Sequence, residues 1–446
     1  MRTRLKILVS AYACNPYRGS EEGVGWGWVK AIARNHKVHV LTATYHRADI
    51  EKALPGHPEL AENAVFHYVP HKPWDYRPTK GWRFIEGSIL KPIMNNAYRL
   101  WQRDAYRLGA ELHERERFDL VHLVTYVGFR FPGHLWKLDV PFVWGPIGGL
   151  ENTPWRLLPM LGLGGAVYYG GRNVINSLHK RFLGLPKRAF AKASSRGAVI
   201  AATEGIRREI RRWYGCESEV ICEIGTPGEV AADLSIRQPG EPLRLAWSGL
   251  HLPGKALPLL LKAAAMLPAD VDWRLDILGE GPCTQAWRRQ AERLGLNGRC
   301  TWHGWLPREQ AVALIHGSHV FVITSLKDLT STVLLEALSQ CVPVVCPDHC
   351  GFADVVTDEC GIKVPVVDAA GIARGIAHAV ERLARDEVGR RAMAGNALRR
   401  AADFTWERKA ERLKEIYQQA LSSTCAAFVK PGGEKPAKEV ARSVNV

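Results

Sequence analysis

Two carboxylates eight positions apart, Asp328 and Glu336, are the side chains of this chain best placed to do chemistry. They follow the apolar run 319–324, which reads as a buried parallel strand, and the segment 330–340 has the pattern of the helix after it. Asp328 is therefore expected in the loop at the strand's carboxyl end, and Glu336 about two turns into the helix. The backbone N–H groups between them suit an anion of phosphate size. This expected anion site comprises Leu329, Thr330, Ser331 and Thr332.

The two acids and the anion site together suit a sugar nucleotide, and the segment resembles the signature of a known enzyme family. Retaining glycosyltransferases of family 4, which have the GT-B fold, carry two acids at this spacing, with a Gly-Phe-Gly-like stretch after the first. In this chain the first acid is Asp328 and the stretch is Leu329-Thr330-Ser331. The resemblance implies that Glu336 binds the ribose hydroxyls of the nucleotide and that Asp328 lies beside the transferred sugar.

A lysine is expected at the diphosphate. The segment 247–256 is similar to the strand-to-helix turn with which the family supplies an Arg and a Lys to that group. Lys255 takes the lysine position, whereas Leu250 takes the arginine position. A departing nucleoside diphosphate gains negative charge, so a preplaced ammonium stabilises the transition state more than the ground state. A cation from elsewhere, such as Arg130 or Lys327, would have to assist in place of the missing arginine.

Loops that follow parallel strands meet at the carboxyl edge of the sheet, so further loops are expected beside these residues. Segments 279–282 and 303–306 end two more predicted strands, and the resemblance implies that the nucleotide base lies near the second. Segment 349–354 takes the place of the family's Gly-Gly-x-x-Glu turn, with one glycine missing. Lys255 and Asp328 are predicted to be catalytic. The predicted donor-binding residues are Glu336, Leu329, Thr330, Ser331, Thr332, Gly249, Gly279, Trp305 and Leu306.

Two glycine-rich turns in the N-terminal half are candidates for the acceptor side or for a phosphate loop. Each follows a predicted strand, and glycine lets a ligand approach the backbone closely. The candidate residues are Gly19, Ser20, Gly23, Gly25, Gly148 and Gly149. Many relatives carry a histidine at the second turn, and this chain does not. His122 joins the candidates, and a core or cleft-lining position is favoured for it over a catalytic one.

Neither a metal nor an organic cofactor is predicted, and the donor sugar nucleotide is a substrate. Asp270-Val-Asp272 precedes a predicted strand, at the wrong edge of the sheet for a site. A second group contains Cys341, Cys346, His349, Cys350 and Cys360. Two of these cysteines bracket a strand and no Cys-x2-Cys pair occurs, so a metal site is disfavoured. The ten cysteines of this long chain are interpreted as buried thiols.

The elements that must position these residues alternate between strand and helix along all 446 residues. This pattern predicts an α/β protein, and with the resemblance it predicts a GT-B fold, two Rossmann-like doubly wound domains facing across a cleft. The predicted boundaries are 1–225 for an N-terminal acceptor-binding domain, 226–242 for a linker, 243–402 for a C-terminal nucleotide-sugar-binding domain, 403–421 for a helix that returns to the N-terminal domain, and 422–446 for a disordered tail.

The apolar patterns also give bounds for single elements. The predicted strands are 5–10, 38–43, 65–69, 120–124, 142–145, 198–202, 220–223, 243–247, 273–278, 300–303, 319–324 and 342–346. The predicted helices are 25–35, 90–115, 205–214, 257–266, 284–294, 308–316, 330–340, 369–385 and 387–401, with a last helix that opens at 404–408 and a helical insertion over 151–196.

The net charge of +15 indicates an anionic partner or a solvated basic face. Basic residues concentrate between 172 and 212 and alternate with aromatic and apolar ones, which suits anionic lipid headgroups. No nucleic-acid-binding module accompanies the charge, so nucleic acid is not a predicted partner. No apolar stretch reaches ~18 residues, and the N-terminal apolar run is too short for a secretion signal. A cytoplasmic protein is predicted, with peripheral contact at the inner face of the membrane.

Together with the family resemblance, which implies retention of configuration, these observations favour metal-independent transfer of a hexose from a nucleotide diphosphate sugar to a saccharide or polyprenyl-diphosphate-linked acceptor. The resemblance implies a role in exopolysaccharide, O-antigen or other cell-surface glycan synthesis. A phosphorylase, synthase or epimerase of the same fold stays open, as does a sugar-nucleotide-binding scaffold with weak catalysis, which Leu250 favours. A nicotinamide oxidoreductase is disfavoured because no Gly-x-Gly-x-x-Gly follows either first strand.

Overall fold

The computed structural model describes residues 4–428, apart from 71–90 and the single residues 127, 227, 229 and 232. The first half of the described chain forms a sheet of seven parallel strands. They are β1 (Lys6–Ser10), β2 (Lys37–Ala43), β3 (Ala64–Val69), β4 (Leu120–Leu123), β5 (Phe142–Ile147), β6 (Gly197–Ala201) and β7 (Glu219–Val220). Their order across the sheet is β3-β2-β1-β4-β5-β6-β7.

Helices connect these strands and cover both faces of the sheet. They are α1 (Ser20–Asn35), α2 (Arg47–Ala53), α3 (Pro58–Asn63), α4 (Lys91–Glu116), α5 (Gly162–Phe182), α6 (Gly184–Ser195) and α7 (Glu204–Tyr214). A 3-10 segment, Trp155–Leu161, precedes α5. The predicted helical insertion therefore consists of this segment, α5 and α6.

The second half forms a parallel sheet of six strands. They are β8 (Leu243–Ser248), β9 (Trp273–Leu278), β10 (Cys300–Gly304), β11 (Val320–Val322), β12 (Val344–Pro347) and β13 (Gly361–Val364), in the order β10-β9-β8-β11-β12-β13. The helices are α8 (Pro258–Ala264), α9 (Thr284–Arg293), α10 (Arg308–His316), α11 (Thr332–Ser339), α12 (Cys350–Val355), α13 (Ala369–Arg385), α14 (Glu387–Ala401) and α15 (Trp406–Phe428).

The predicted α/β class with two Rossmann-like sheets is confirmed. In the central strand β8, Leu245 and Trp247 pack into one core cluster, whereas Ala246 packs into the cluster on the opposite face. Both faces of the strand are buried because helices cover the sheet on both sides. For this reason the strands read as continuous apolar runs rather than alternating ones, which is what made them recognisable in the sequence.

Helix α15 packs on the first sheet's domain, although it follows the second sheet in the chain. The indole of Trp406 fills the space that a Cβ would need at Gly27 and Gly225. Further along α15, the Tyr417 hydroxyl donates to His122 Nδ1 at 2.6 Å, and His122 Nε2 donates to the Gly145 carbonyl at 3.0 Å. These contacts join the end of the chain to the N-terminal domain.

Several predicted bounds were wrong. Helix α1 begins at Ser20, five residues before the predicted start. Two acids in its first turn favour that start, because the positive end of the helix dipole stabilises carboxylates at a helix N-terminus. The predicted strand 220–223 ends at Val220, and α15 extends to Phe428, past the predicted boundary at 421. Residues 429–446 of the predicted tail lie outside the described residues. Strand β13 and the short helices α2, α3 and α12 were not predicted, since none is long enough to show a clear period.

Two residues near the carboxyl edge of the second sheet adopt positive φ although neither is glycine. Ser331 has φ 77° and ψ 118° where it precedes α11, and Cys350 has φ 56° at the start of α12. Both fall where the family resemblance has glycine. The Gly351 N–H donates to the Leu329 carbonyl at 2.8 Å and joins the two loops. Ser331 and Cys350 therefore adopt backbone conformations typical of glycine, and the resulting strain is on the order of 1–3 kcal/mol per residue.

Replacing Ser331 by glycine should relieve this strain. We expect Ser331→Gly to raise the melting temperature by about 2 °C, because the relief exceeds the entropy that glycine adds to the unfolded chain. The matched control is Ser422→Gly on the exposed face of α15, which should lower the melting temperature slightly. Thermal unfolding of both variants checks the prediction, and equal destabilisation by the two substitutions would contradict it.

Candidate active site

The turn that carries Lys255 is hydrogen-bonded to the loop after β11. The Leu326 N–H donates to the Gly254 carbonyl at 2.8 Å, and the Thr324 hydroxyl donates to the Lys255 carbonyl at 2.6 Å. The indole N–H of Trp247 donates to the same Thr324 oxygen at 2.9 Å. These bonds fix the position of Lys255 against the loop that contains the first acid.

Lys255 and Asp328 form an ion pair through Nζ and Oδ2. Their side chains are 24% and 22% exposed, so water screens the pair only in part. The other carboxylate oxygen of Asp328 accepts the Leu329 N–H at 3.1 Å. The structure thus brings the two predicted catalytic residues into direct contact, and an anion that reaches Lys255 would also lie close to Asp328.

Glu336 lies on α11 and lines a cleft of about 1090 Å³ between the two domains. Burial raises the pKa of Glu336, and the Arg308 guanidinium, whose Nε donates to Oε1 at 3.2 Å, opposes that rise. Gly19 and Ser20 line the same cleft from the N-terminal domain. Residues predicted for the acceptor side and for the donor side therefore face one space. Lys255 and Asp328 are not among the lining residues of this cleft.

The predicted anion site is partly occupied by a carboxylate of the N-terminal domain. Glu223 accepts the Thr330 N–H at 2.9 Å on one oxygen and the Thr330 hydroxyl at 2.8 Å on the other. The interpretation that all four residues offer free N–H groups was therefore wrong for Thr330 and for Leu329, whose N–H donates to Asp328. The amides of Thr332 and Val333 in the first turn of α11 are among those that an α-helix leaves without an intrahelical partner.

Glu223 is a residue that sequence reasoning missed. It lies three residues after the end of β7, and no spacing relates it to the loop it contacts more than a hundred positions later. Burial raises its pKa to about 7, against the lowering effect of the bonds from Thr330. Its contact with the predicted donor loop holds the two domains together at the inner end of the cleft.

The other donor-side loops join one another at the sheet edge. Gly279 has φ 103°, its N–H donates to the Gly304 carbonyl at 2.7 Å, and a Cβ there would overlap the Gly249 carbonyl. Gly249 and Gly279 therefore allow loop-to-loop packing. Trp305 is 53% exposed and Leu306 is half-buried at the same edge.

The N-terminal candidates divide into two groups. Gly19 has open space around it, and a Cβ at Gly148 would lie 3.0 Å from the Leu329 side chain, so these two lie at the domain boundary. Gly149, with φ 82°, is exposed beside them. Gly23 and Gly25 lie inside α1 instead of a turn; Gly23 lines the cleft with Gly19 and Ser20, whereas a Cβ at Gly25 would overlap the Ala13 carbonyl. The interpretation of Gly25 as a ligand-binding glycine was therefore wrong, because close packing of α1 explains it.

His122 is fully buried and hydrogen-bonded at both ring nitrogens. Burial lowers its pKa to about 3, so it is a neutral core histidine. Of the core and cleft-lining positions expected for it, His122 takes the core one and is not among the residues that line the cleft.

Within the described ranges, no group of three or more His, Cys, Asp and Glu side chains is arranged to hold a metal ion. Asp270 pairs with Arg385 at 2.9 Å, and Asp272 lies 3.9 Å from Arg299. The His349 Nε2 lies 2.6 Å from the Leu326 carbonyl. The same part of the chain contains no helix whose length and apolar character would let it cross a bilayer.

Comparison with known proteins agrees with this geometry. Residues 238–400 match the family model of glycosyl transferases group 1. D-inositol 3-phosphate glycosyltransferase of Corynebacterium efficiens is 27% identical over 212 residues, which cover 45% of this chain and 49% of that protein. O-antigen chain mannosyltransferase B of Escherichia coli is 27% identical over 226 residues, 47% of this chain and 57% of that protein. The chain thus spans about half the length of these curated relatives.

A solved structure extends the likeness to nearly the whole chain. Anabaena HepE in complex with UDP and glucose superposes with a TM-score of 0.55 at 15% identity, and covers 95% of this chain and 100% of its own. At this identity the likeness shows the fold alone. The GT-B arrangement of the two domains is thereby confirmed.

Proposed function

We propose that the protein, whose residues 238–400 match the family model of glycosyl transferases group 1, transfers a hexose from a nucleotide diphosphate sugar, with retention of configuration. The acceptor is a saccharide or a polyprenyl-diphosphate-linked saccharide of a cell-surface glycan. The names of the E. coli O-antigen relative and of the UDP complex of HepE support these classes of acceptor and donor.

The observation that carries the proposal is the contact between Lys255 and Asp328, in the loop before the helix whose Glu336 lines the interdomain cleft. Lys255 would stabilise the leaving diphosphate as its charge grows, and Asp328 would hold the lysine and stabilise the positive charge on the sugar. The amides of Thr332 and Val333 would bind the same diphosphate. Glu336, which already lines the cleft, would accept hydrogen bonds from the ribose.

In this mechanism the leaving phosphate accepts the proton of the acceptor hydroxyl. The new glycosidic bond forms on the face from which the diphosphate departs, so the configuration is retained. No metal ion and no protein nucleophile takes part. Closure of the domains around the cleft excludes water and so favours transfer over hydrolysis.

Nucleotide binding tests the donor assignment. Against a panel of UDP-, GDP-, dTDP- and ADP-sugars, we expect one donor to bind and to be turned over, and Glu336→Gln to weaken its binding on the order of tenfold to a hundredfold because ribose hydrogen bonds are lost. The matched control is Glu309→Gln on the exposed face of the neighbouring helix α10. Titration calorimetry measures both variants.

Two results would contradict the proposal. Glu336→Gln with unchanged affinity would remove Glu336 from the donor site. Tight binding with no transfer or hydrolysis of any donor would favour the alternative, a sugar-nucleotide-binding scaffold, which the leucine at position 250 favours.

We also propose that the protein binds the anionic inner face of the membrane through α5. One face of this helix exposes six apolar side chains at helical spacing: Leu163, Val167, Val174, Ile175, Leu178 and Phe182. Arg181, Lys187 and Arg188 are exposed beside its C-terminal end. An exposed apolar stripe with flanking cations fits anionic headgroups above acyl chains.

Vesicle binding tests this surface. We expect the protein to sediment with phosphatidylglycerol vesicles and far less with phosphatidylcholine vesicles, and added salt should weaken the binding. The double variant Leu178→Ser and Phe182→Ser should lose most of it. The matched control is Val388→Ser, which removes an 82% exposed side chain on α14. Equal binding by the double variant and the control would contradict the assignment of α5.

A further inference from the structure

Three half-buried cations, Arg130, Arg172 and Lys327, are close enough to influence one another electrostatically. Nε of Arg130 donates to His179 Nδ1 at 2.8 Å, and its Nη2 donates to the Asn176 side-chain carbonyl. In the part of the chain that the structure describes, none of the three cations forms an ion pair with a carboxylate, and Lys327 has no hydrogen-bond partner. Their polar contacts are with neutral groups only.

The three cations are close enough to disfavour one another's charge. Burial and, to a smaller extent, the charge of Arg172 lower the pKa of Arg130 to about 10. Burial and, to a smaller extent, the charges of Arg172 and Arg130 lower the pKa of Lys327 to about 8. Partly buried, unpaired charges of one sign cost free energy in the ligand-free protein. An arrangement of this kind is expected where an anionic ligand supplies the missing charge.

The nearby acids are engaged elsewhere. Glu151 is the carboxylate whose charge raises the pKa of Lys327. It accepts a hydrogen bond from the Thr203 hydroxyl at 3.3 Å and packs against Gly205 in the first turn of α7. Asp328 is adjacent to Lys327 in the chain but pairs with Lys255. Glu151 therefore offsets part of the positive charge from a distance, but no carboxylate of the described residues forms an ion pair with any of the three cations.

These cations lie beside the proposed catalytic pair, on the side of the N-terminal domain. A guanidinium nitrogen of Arg130 lies 3.9 Å from the Cβ position of Gly149, and the adjoining Gly148 packs against Leu329. Arg172 is three residues after Tyr169, whose hydroxyl lies against Gly254 in the turn that carries Lys255. The N-terminal domain thus contributes two arginines next to the site where one arginine of the family pattern is replaced by leucine.

We infer that Arg130, Arg172 and Lys327 form a subsite for a phosphate or diphosphate group next to the Lys255–Asp328 pair. This inference rests on the proposed function and deepens it. The group could come from the leaving diphosphate of the donor or from the diphosphate of a lipid-linked acceptor, since guanidinium and ammonium groups bind both alike. In either case the subsite supplies cations that the strand-to-helix turn lacks at Leu250.

Lys327→Met is the most direct variant, because Lys327 has no hydrogen bond to lose among the described residues. We expect it to raise the melting temperature of the ligand-free protein, since it removes a repelled charge, and to weaken binding of inorganic pyrophosphate on the order of tenfold. Arg130→Gln should weaken pyrophosphate binding to a similar degree. Arg391→Gln, on the exposed face of α14, is the control that should change neither.

Titrations with UDP, GDP and the matching nucleosides separate the two sources of phosphate. Weaker nucleoside diphosphate binding with unchanged nucleoside binding assigns the subsite to the donor. Unchanged nucleotide binding, with loss of pyrophosphate binding to the nucleotide-saturated protein, assigns it to the acceptor. Pyrophosphate binding that neither variant changes would overturn the subsite. If the native protein binds pyrophosphate but no nucleotide, the subsite stands and the proposed function fails.

Discussion

The ion pair of Lys255 and Asp328 is the interaction on which the site depends, because it fixes two chemically opposite groups from separate strands at one point. The hydrogen bonds of Thr324 and Leu326 to the Lys255 turn hold the pair in register. Those bonds in turn require that β8 and β11 be neighbours in the sheet, which they are. The strand order is thus the constraint that converts sequence-distant residues into one site.

That constraint also explains what the sequence could predict. An open parallel sheet brings the loops after its strands to one edge, so the meeting of Lys255 with Asp328 followed from two predicted strands. Glu336 was placed correctly on the following helix for the same reason. The long apolar strands and the helices with a clear period were recognised within a few residues.

Other parts of the site depend on contacts between the two domains, which no periodic pattern contains. Glu223 occupies the Thr330 amide only because the N-terminal domain lies against the loop before α11. Gly25 and His122 were predicted near the ligand because of residue type, whereas packing decides their positions. The positive φ angles of Ser331 and Cys350 could not be predicted, because residues with a Cβ atom rarely adopt them.

Helix α5 takes part in both the proposed membrane surface and the proposed phosphate subsite, and both would use the protein's excess of positive charge. Tyr169 and Arg172 face the turn and the cations beside the catalytic pair, whereas Leu163, Val167 and Phe182 face solvent. A membrane bound to the outer face would bring a lipid-linked acceptor near the phosphate subsite on the inner face. The basic composition then has two physical roles, attraction to a surface and binding of a phosphate group.

The rate of sugar transfer by Lys255→Met, measured with the donor that the binding panel identifies, tests the role of the ion pair most directly. Removal of the ammonium that stabilises the leaving diphosphate should lower kcat on the order of a hundredfold or more. Lys262→Met, which removes an exposed ammonium from α8, should leave kcat unchanged. Equal kcat values for the two variants would contradict the account.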